Sequence, residues 1–108
     1  MKPVTRIADL GEGVCLNGHE DVPRGEPKPF TTTFITGSNN VFANWIPVVR
    51  IGDFGKTDCG HDTEAASGST TVFVNNRFVH RIGDIGKVVG DGDTYEVITG
   101  SGDVIIGG

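Results

Sequence analysis

Residues 37–53 read GSNNVFANWIPVVRIGD, and residues 68–84 read GSTTVFVNNRFVHRIGD. Both fit G-S-x-x-V-F-x-N-x5-R-I-G-D without a gap, displaced by 31 positions. A third opening, Gly100-Ser101-Gly102-Asp103-Val104-Ile105, stands 32 positions after the second, and a lone closing segment, Arg6-Ile7-Ala8-Asp9, precedes the first. The chain is therefore built from two full units and two partial ones. A short repeat cannot bury a face by itself, so the units must share a core.

Each unit spells a hairpin. Val72-Phe73-Val74 is a short β run, Asn75-Asn76 is a tight-turn signal, and Phe78-Val79-His80-Arg81-Ile82 returns, closed by Gly83-Asp84. Val41-Phe42-Ala43, Asn44-Trp45 and Pro47-Val48-Val49-Arg50-Ile51 repeat the plan. Pro47 has no amide proton and suits an edge or a strand entry. Between the units, Glu20 to Pro29 is charged and holds three of the five prolines, which predicts an exposed loop. Thr31 to Ile35 and Thr94 to Ile98 are predicted strands, and Asp62 to Ala66 could form at most one helical turn.

Composition agrees. Val, Ile and Thr number 13, 9 and 11 against 2 Leu and 4 Ala, and 17 residues are Gly. Pleated surfaces favour β-branched residues, whereas helical bundles need Leu and Ala. The expectation is an all-β single domain spanning 1–108. A net charge of -5 disfavours nucleic acid or an anionic membrane as an electrostatic partner. No apolar run reaches the length of a spanning helix and no secretory signal opens the chain, so neither a transmembrane segment nor signal-directed export is expected.

Repeat alignment raises a metal question. Cys15 lies nine residues after Arg6 and Cys59 nine after Arg50, while Gly90 takes that place in the last copy. His19 follows Cys15 as C-x3-H, His61 follows Cys59 as C-x-H, and His80 precedes Arg81. Structural zinc takes four sulfur or nitrogen ligands, so five candidates compete for four places. A Cys15–Cys59 disulfide is the alternative. Catalysis has little support: Asp9, Asp53 and Asp84 recur as turn-capping residues, and Ser38, Ser69 and Ser101 recur as turn residues. Arg50 and Arg81 suit structural pairing with carboxylates or carbonyls.

The closing segments Lys2-Pro3-Val4-Thr5-Arg6-Ile7-Ala8-Asp9, Pro47-Val48-Val49-Arg50-Ile51-Gly52-Asp53 and Phe78-Val79-His80-Arg81-Ile82-Gly83-Asp84 resemble the PAAR-repeat family, named for a Pro-Ala-Ala-Arg motif that closes a hairpin. Here larger residues replace the two alanines, and the last copy lacks the proline. The resemblance runs over essentially the whole chain. It implies a small cone-shaped domain of repeated β-hairpins in a pseudo-threefold arrangement, with a metal site at its apex. Its implied function is a structural, metal-stabilised tip that caps the trimeric β-helical spike of a contractile tail, one tip per trimer, and helps pierce the target envelope. The implied cofactor is one structural zinc, or iron, on three histidines and one cysteine: His19, His61, His80 and Cys59, with Cys15 in reserve. The expected location is the tip of a virion tail baseplate, with transient contact to the target membrane. The alternatives are a type VI secretion spike tip or effector adaptor, and a small zinc-binding enzyme or regulatory domain; a closed zinc site disfavours an enzyme.

Overall fold

A computed structural model describes residues 2–15, 28–58, 60–90 and 93–106. These form twelve strands: β1 (Lys2–Pro3), β2 (Leu10–Cys15), β3 (Lys28–Phe34), β4 (Phe42–Ala43), β5 (Ile46–Pro47), β6 (Phe54–Thr57), β7 (Asp62–Ala65), β8 (Phe73–Val74), β9 (Arg77–Phe78), β10 (Ile85–Val88), β11 (Thr94–Val97) and β12 (Ile105–Ile106). Asn44 and Trp45 have φ of 54° and 66°, and Asn75 and Asn76 have 53° and 66°. Two successive left-handed residues make a type I′ turn, whose twist matches that of the flanking strands. The turns close hairpins β4–β5 and β8–β9. The first and last strands, β1 and β12, make the equivalent third antiparallel pair, Ile105 opposite Pro3 and Ile106 opposite Lys2. The two partial units of the repeat thus complete one another.

Beyond each short hairpin the returning chain leaves its partner and meets the neighbouring unit. Thr5 N–H donates to the His80 carbonyl (2.9 Å), His80 N–H to that of Val49 (3.0 Å), and Val49 N–H to that of Thr5 (2.9 Å). Thr5, Val49 and His80 are repeat-equivalent, so the three bonds close a triangle. Two residues on, Ile7, Ile51 and Ile82 donate to Pro47, Phe78 and Pro3, in the opposite cyclic order. Single bridges Arg6–Val48, Arg50–Val79 and Val4–Arg81 repeat it again. The expected returning strand over 78–82 is therefore cut short. Val79 still donates to the Val72 carbonyl of its own unit (3.2 Å), but His80 and Ile82 donate to the Val49 and Pro3 carbonyls of the neighbouring units.

Past the crossing, each unit sends out a longer hairpin: β2–β3, β6–β7 and β10–β11. Adjacent hairpins pair as β3–β6, β7–β10 and β11–β2, which closes a six-stranded antiparallel barrel. Asp62 to Ala66, read as able to form at most one helical turn, instead supplies barrel strand β7 with Thr63 and Ala65 facing inward. Strand β3 begins at Lys28, so Lys28 and Pro29 belong to the sheet and not to the preceding loop. The rest of that loop, 20–27, lies outside the described residues.

The barrel is narrow enough that glycine is required inside it. A Cβ on Gly86 would lie 2.1 Å from the Tyr95 ring, and one on Gly55 would lie 2.7 and 2.8 Å from the Thr63 and Thr32 hydroxyls. Glycine on one strand makes room for the large or polar side chain on the next. Phe30, Phe34, Val88, Tyr95 and Val97 fill the barrel, and the Thr32 and Thr63 hydroxyls pair at 2.6 Å. A second cluster of Val4, Ala43, Val48 and Val79 lies among the short hairpins. The overall extents are 40 × 23 × 23 Å, and two equal short axes are what threefold repetition about the long axis produces.

One core atom breaks the pattern. Thr5 Oγ1 is buried with no hydrogen-bond partner among the described residues, at the position where the next unit has Val49. Thr5→Val keeps the shape and removes the unmatched hydroxyl, so it is expected to raise stability by about 1 kcal/mol. Urea unfolding checks this; a loss of that size would mean that the hydroxyl is satisfied in solution.

Candidate functional site

The residues proposed for metal binding divide between the two ends of the barrel. Cys15 ends β2 and is fully buried. His61, half-buried, stands one residue before β7, on the inward-facing parity of Thr63 and Ala65. Its backbone is fixed by Thr57: His61 N–H donates to Thr57 Oγ1 at 2.7 Å, and Thr57 N–H to the His61 carbonyl at 2.8 Å. Cys15 and His61 thus stand at the end of the barrel farther from the crossing. His19 and Cys59 lie outside the described residues, as does the cysteine pairing proposed as the alternative. Among the described residues no cluster of three or more potential metal ligands occurs.

His80 stands elsewhere. It occupies the triangular crossing at the opposite end of the barrel, about 13 Å from the His61 level at ~3.3 Å per strand residue. The ring is wholly buried, edge-on to Phe34 and Tyr95 with centroids 5.5 and 5.9 Å away. The Ser67 carbonyl, which can only accept, lies 2.6 Å from Nδ1, so Nδ1 carries the proton; Nε2 then accepts from the Tyr95 hydroxyl at 3.0 Å. Burial pushes the His80 imidazole below the ordinary histidine range, against the pull of Ser67 and Asp84, and pushes the Tyr95 phenol well up. Both ring nitrogens have hydrogen-bond partners within the core, and the structure does not bring His80 together with Cys15 and His61.

The acidic and hydroxyl repeats are committed to turns in the way the spacing implies. Asp84 Oδ2 accepts from Arg81 N–H and Nε, both at 2.8 Å, while Oδ1 accepts from Nη2 at 3.1 Å and from Ser67 Oγ at 3.2 Å. Asp53 with Arg50 and Asp9 with Arg6 repeat this lock. Ser38 Oγ accepts from the Asn40 and Val41 amides, Ser69 Oγ from Thr71 and Val72, and Ser101 Oγ from Asp103 and Val104.

The repeat asparagine, readable only as a turn signal, is also a clamp. Asn44 Oδ1 accepts from Ser101 Oγ at 2.5 Å and Arg6 Nη1 at 3.2 Å, and Asn75 Oδ1 from Ser38 Oγ at 2.7 Å and Arg50 Nη1 at 3.1 Å. Each turn is thereby tied to the unit beside it.

The surfaces differ between the ends. Exposed carboxylates Glu12, Asp58, Asp62 and Glu96 belong to the barrel, whereas the short-hairpin end carries Asp103. That end exposes Phe42, Phe73 and Ile105, three repeat-equivalent residues, and leaves Val72, Val74, Val104 and Ile106 only partly covered. No helix among the described residues is long and apolar enough to cross a membrane. A scan against protein-family models finds no match to this chain, and neither does a search of curated proteins.

Proposed function

We propose that this chain is a PAAR-like structural tip that caps the end of a trimeric β-helical spike in a contractile injection machine, one chain per trimer. The observation that carries it is the cyclic hydrogen bonding of Thr5, Val49 and His80, by which one chain presents three equivalent units. A trimer that ends in open strands offers three equivalent edges needing cover. A single pseudo-threefold chain meets all three at once. Among the described residues the short-hairpin end exposes Phe42, Phe73 and Ile105 beside one exposed acid, Asp103, whereas the exposed acids Glu12, Asp58, Asp62 and Glu96 lie along the barrel, which also exposes Phe54 and Ile85. Mass measurement of the complex with the trimeric spike protein encoded in the same genome tests this: one chain per trimer is expected, and three chains or no complex would defeat it.

The end of the barrel away from the trimer would form the rigid, tapering apex. There Cys15 and His61, with His19 and Cys59 from the adjoining segments, would hold one zinc in a Cys2His2 set, Cys15 taking the place first given to His80. A buried sulfur at the end of β2 and a half-buried histidine one residue before β7 suit such a site. The ion would tie the segment after β2 to the segment before β7. Element analysis is expected to find one zinc per chain. Cys15→Ser and His61→Ala should each lower metal content and melting temperature, whereas His80→Ala should lower melting temperature and leave metal content unchanged. Loss of metal from His80→Ala would restore His80 as a ligand.

A further inference from the structure

Trp45 is the only tryptophan in the chain, and 95% of it is exposed. It holds the second position of a type I′ turn at φ 66°, the place filled in the next unit by Asn76 at the same φ. Glycine or asparagine satisfies that backbone, whereas a bulky side chain is strained there. The largest side chain of the molecule is therefore held in an unfavourable conformation, and it packs against almost nothing in return. Strain of this kind, unrepaid within the chain, marks a residue kept for contact with something else.

The neighbouring surface indicates what that contact is. Phe42, Phe73 and Ile105 occupy one position in the three short hairpins and are 54%, 58% and 47% exposed. Phe42 sits three residues from Trp45 in the same hairpin. An apolar residue repeated in all three units matches a partner with three equivalent contact surfaces. Trp45 has no aromatic counterpart at Asn76, so it removes the equivalence of the three docking orientations.

We propose that Trp45 is the anchor by which this chain seats on a trimeric protein partner. It fills one of three equivalent apolar pockets at the partner's end, while Phe42, Phe73 and Ile105 make the contacts repeated around the axis. Buried tryptophans dominate binding energy at protein interfaces, so one asymmetric anchor can set most of the affinity. The proposal rests on the spike-tip reading and adds to it the residue that fixes the fit.

The chain labelled with 5-fluorotryptophan gives one fluorine resonance, free of signal from the partner. On titration with the trimeric spike protein of the same genome, this resonance is expected to shift and broaden. Trp45→Asn, which copies Asn76, is expected to melt no lower than the parent and to bind the trimer about 30-fold more weakly or worse. If the trimer binds while the resonance stays put and Trp45→Asn binds as tightly as the parent, the anchor is overturned and the cap reading stands. If no complex forms with the trimer, both fall. A shift on adding phosphatidylethanolamine–phosphatidylglycerol vesicles, or on raising the chain's own concentration, without one on adding trimer, overturns it in favour of a membrane or a second copy.

Discussion

Asp84→Ala is expected to destabilise the fold by about 3–5 kcal/mol, because it strands a buried arginine. Arg81 and Asp84 side chains are each 7% exposed, and the carboxylate accepts from three donors of Arg81 besides the Ser67 hydroxyl. Burial alone would raise the Asp84 carboxyl, but the hydrogen bonds and charge of Arg81 outweigh it and hold it below the usual carboxylate range. Removing the acid leaves the guanidinium desolvated and opens the turn that directs β10 into the barrel. The repeat supplies an internal control. The arginine of the equivalent lock is 7% exposed at Arg81, 13% at Arg50 and 18% at Arg6. The expected order of damage is therefore Asp84→Ala, then Asp53→Ala, then Asp9→Ala. For a domain of this size, 3 kcal/mol corresponds to a melting temperature lowered by roughly 12–24 °C. Equal effects at the three sites would show that the closures act by turn geometry alone and that burial of the arginine contributes nothing.

The short hairpins and their closures were legible because their physics is local. A type I′ turn needs two residues that tolerate positive φ, and Asn75-Asn76 between Val72-Phe73-Val74 and Phe78-Val79 states this within eight residues. An Arg and an Asp three apart lock the turn between them, so R-I-G-D can be recognised wherever it recurs. The all-β class followed from the same residues.

Of the six barrel strands, β3 and β11 were legible from Thr31 to Ile35 and Thr94 to Ile98, and the other four were hidden for the opposite reason. Strands β2, β6 and β10 read LGEGVC, FGKT and IGKV, with glycine at inward positions. A strand missing its inward side chains has no period-2 signal. Those absences make sense only beside the partner strand, where Tyr95 occupies the space over Gly86 and the Thr32 and Thr63 hydroxyls occupy that beside Gly55. Asp62 to Ala66 misleads similarly, since Glu and Ala favour a helix until β6 and β10 flank them on both sides. The metal candidates show the same limit. The Cys15 and Cys59 equivalence is a fact of the repeat, but the end of the barrel on which a histidine stands depends on the crossing between units. His80 sits on that crossing, and no spacing within one unit encodes it.

His80 is expected to make the fold acid-labile well above the pH at which carboxylates titrate. Its ring is buried at the crossing and neutral, and burial keeps its folded-state value below the ordinary one. As pH falls through about 6.5 the unfolded chain takes up a proton at this position before the folded chain does. The unfolded state then binds more protons, so the stability held above that pH declines as pH falls toward the folded value, by up to about 1.4 kcal/mol per pH unit. Asp84 acts lower: its folded value is depressed, so its contribution is present above about pH 3.9 and is lost as pH drops through the folded value. Unfolding free energy plotted against pH should therefore bend twice. In His80→Phe combined with Tyr95→Phe, both nitrogens and the phenol that answers one of them are gone, and the upper bend should disappear. The difference between the two profiles isolates His80 from the other two histidines. Tyr95→Phe alone should keep the bend while costing about 1 kcal/mol for the lost hydrogen bond. His80→Ala should cost about 3–5 kcal/mol, since it empties a ring-sized space between Phe34 and Tyr95 and strands the Ser67 carbonyl. A parent that instead gains stability relative to the double variant as pH falls from 8 to 6 would mean that His80 is protonated in the folded state. The Tyr95 hydroxyl would then accept from Nε2, and the crossing would be a charged centre and not a neutral one.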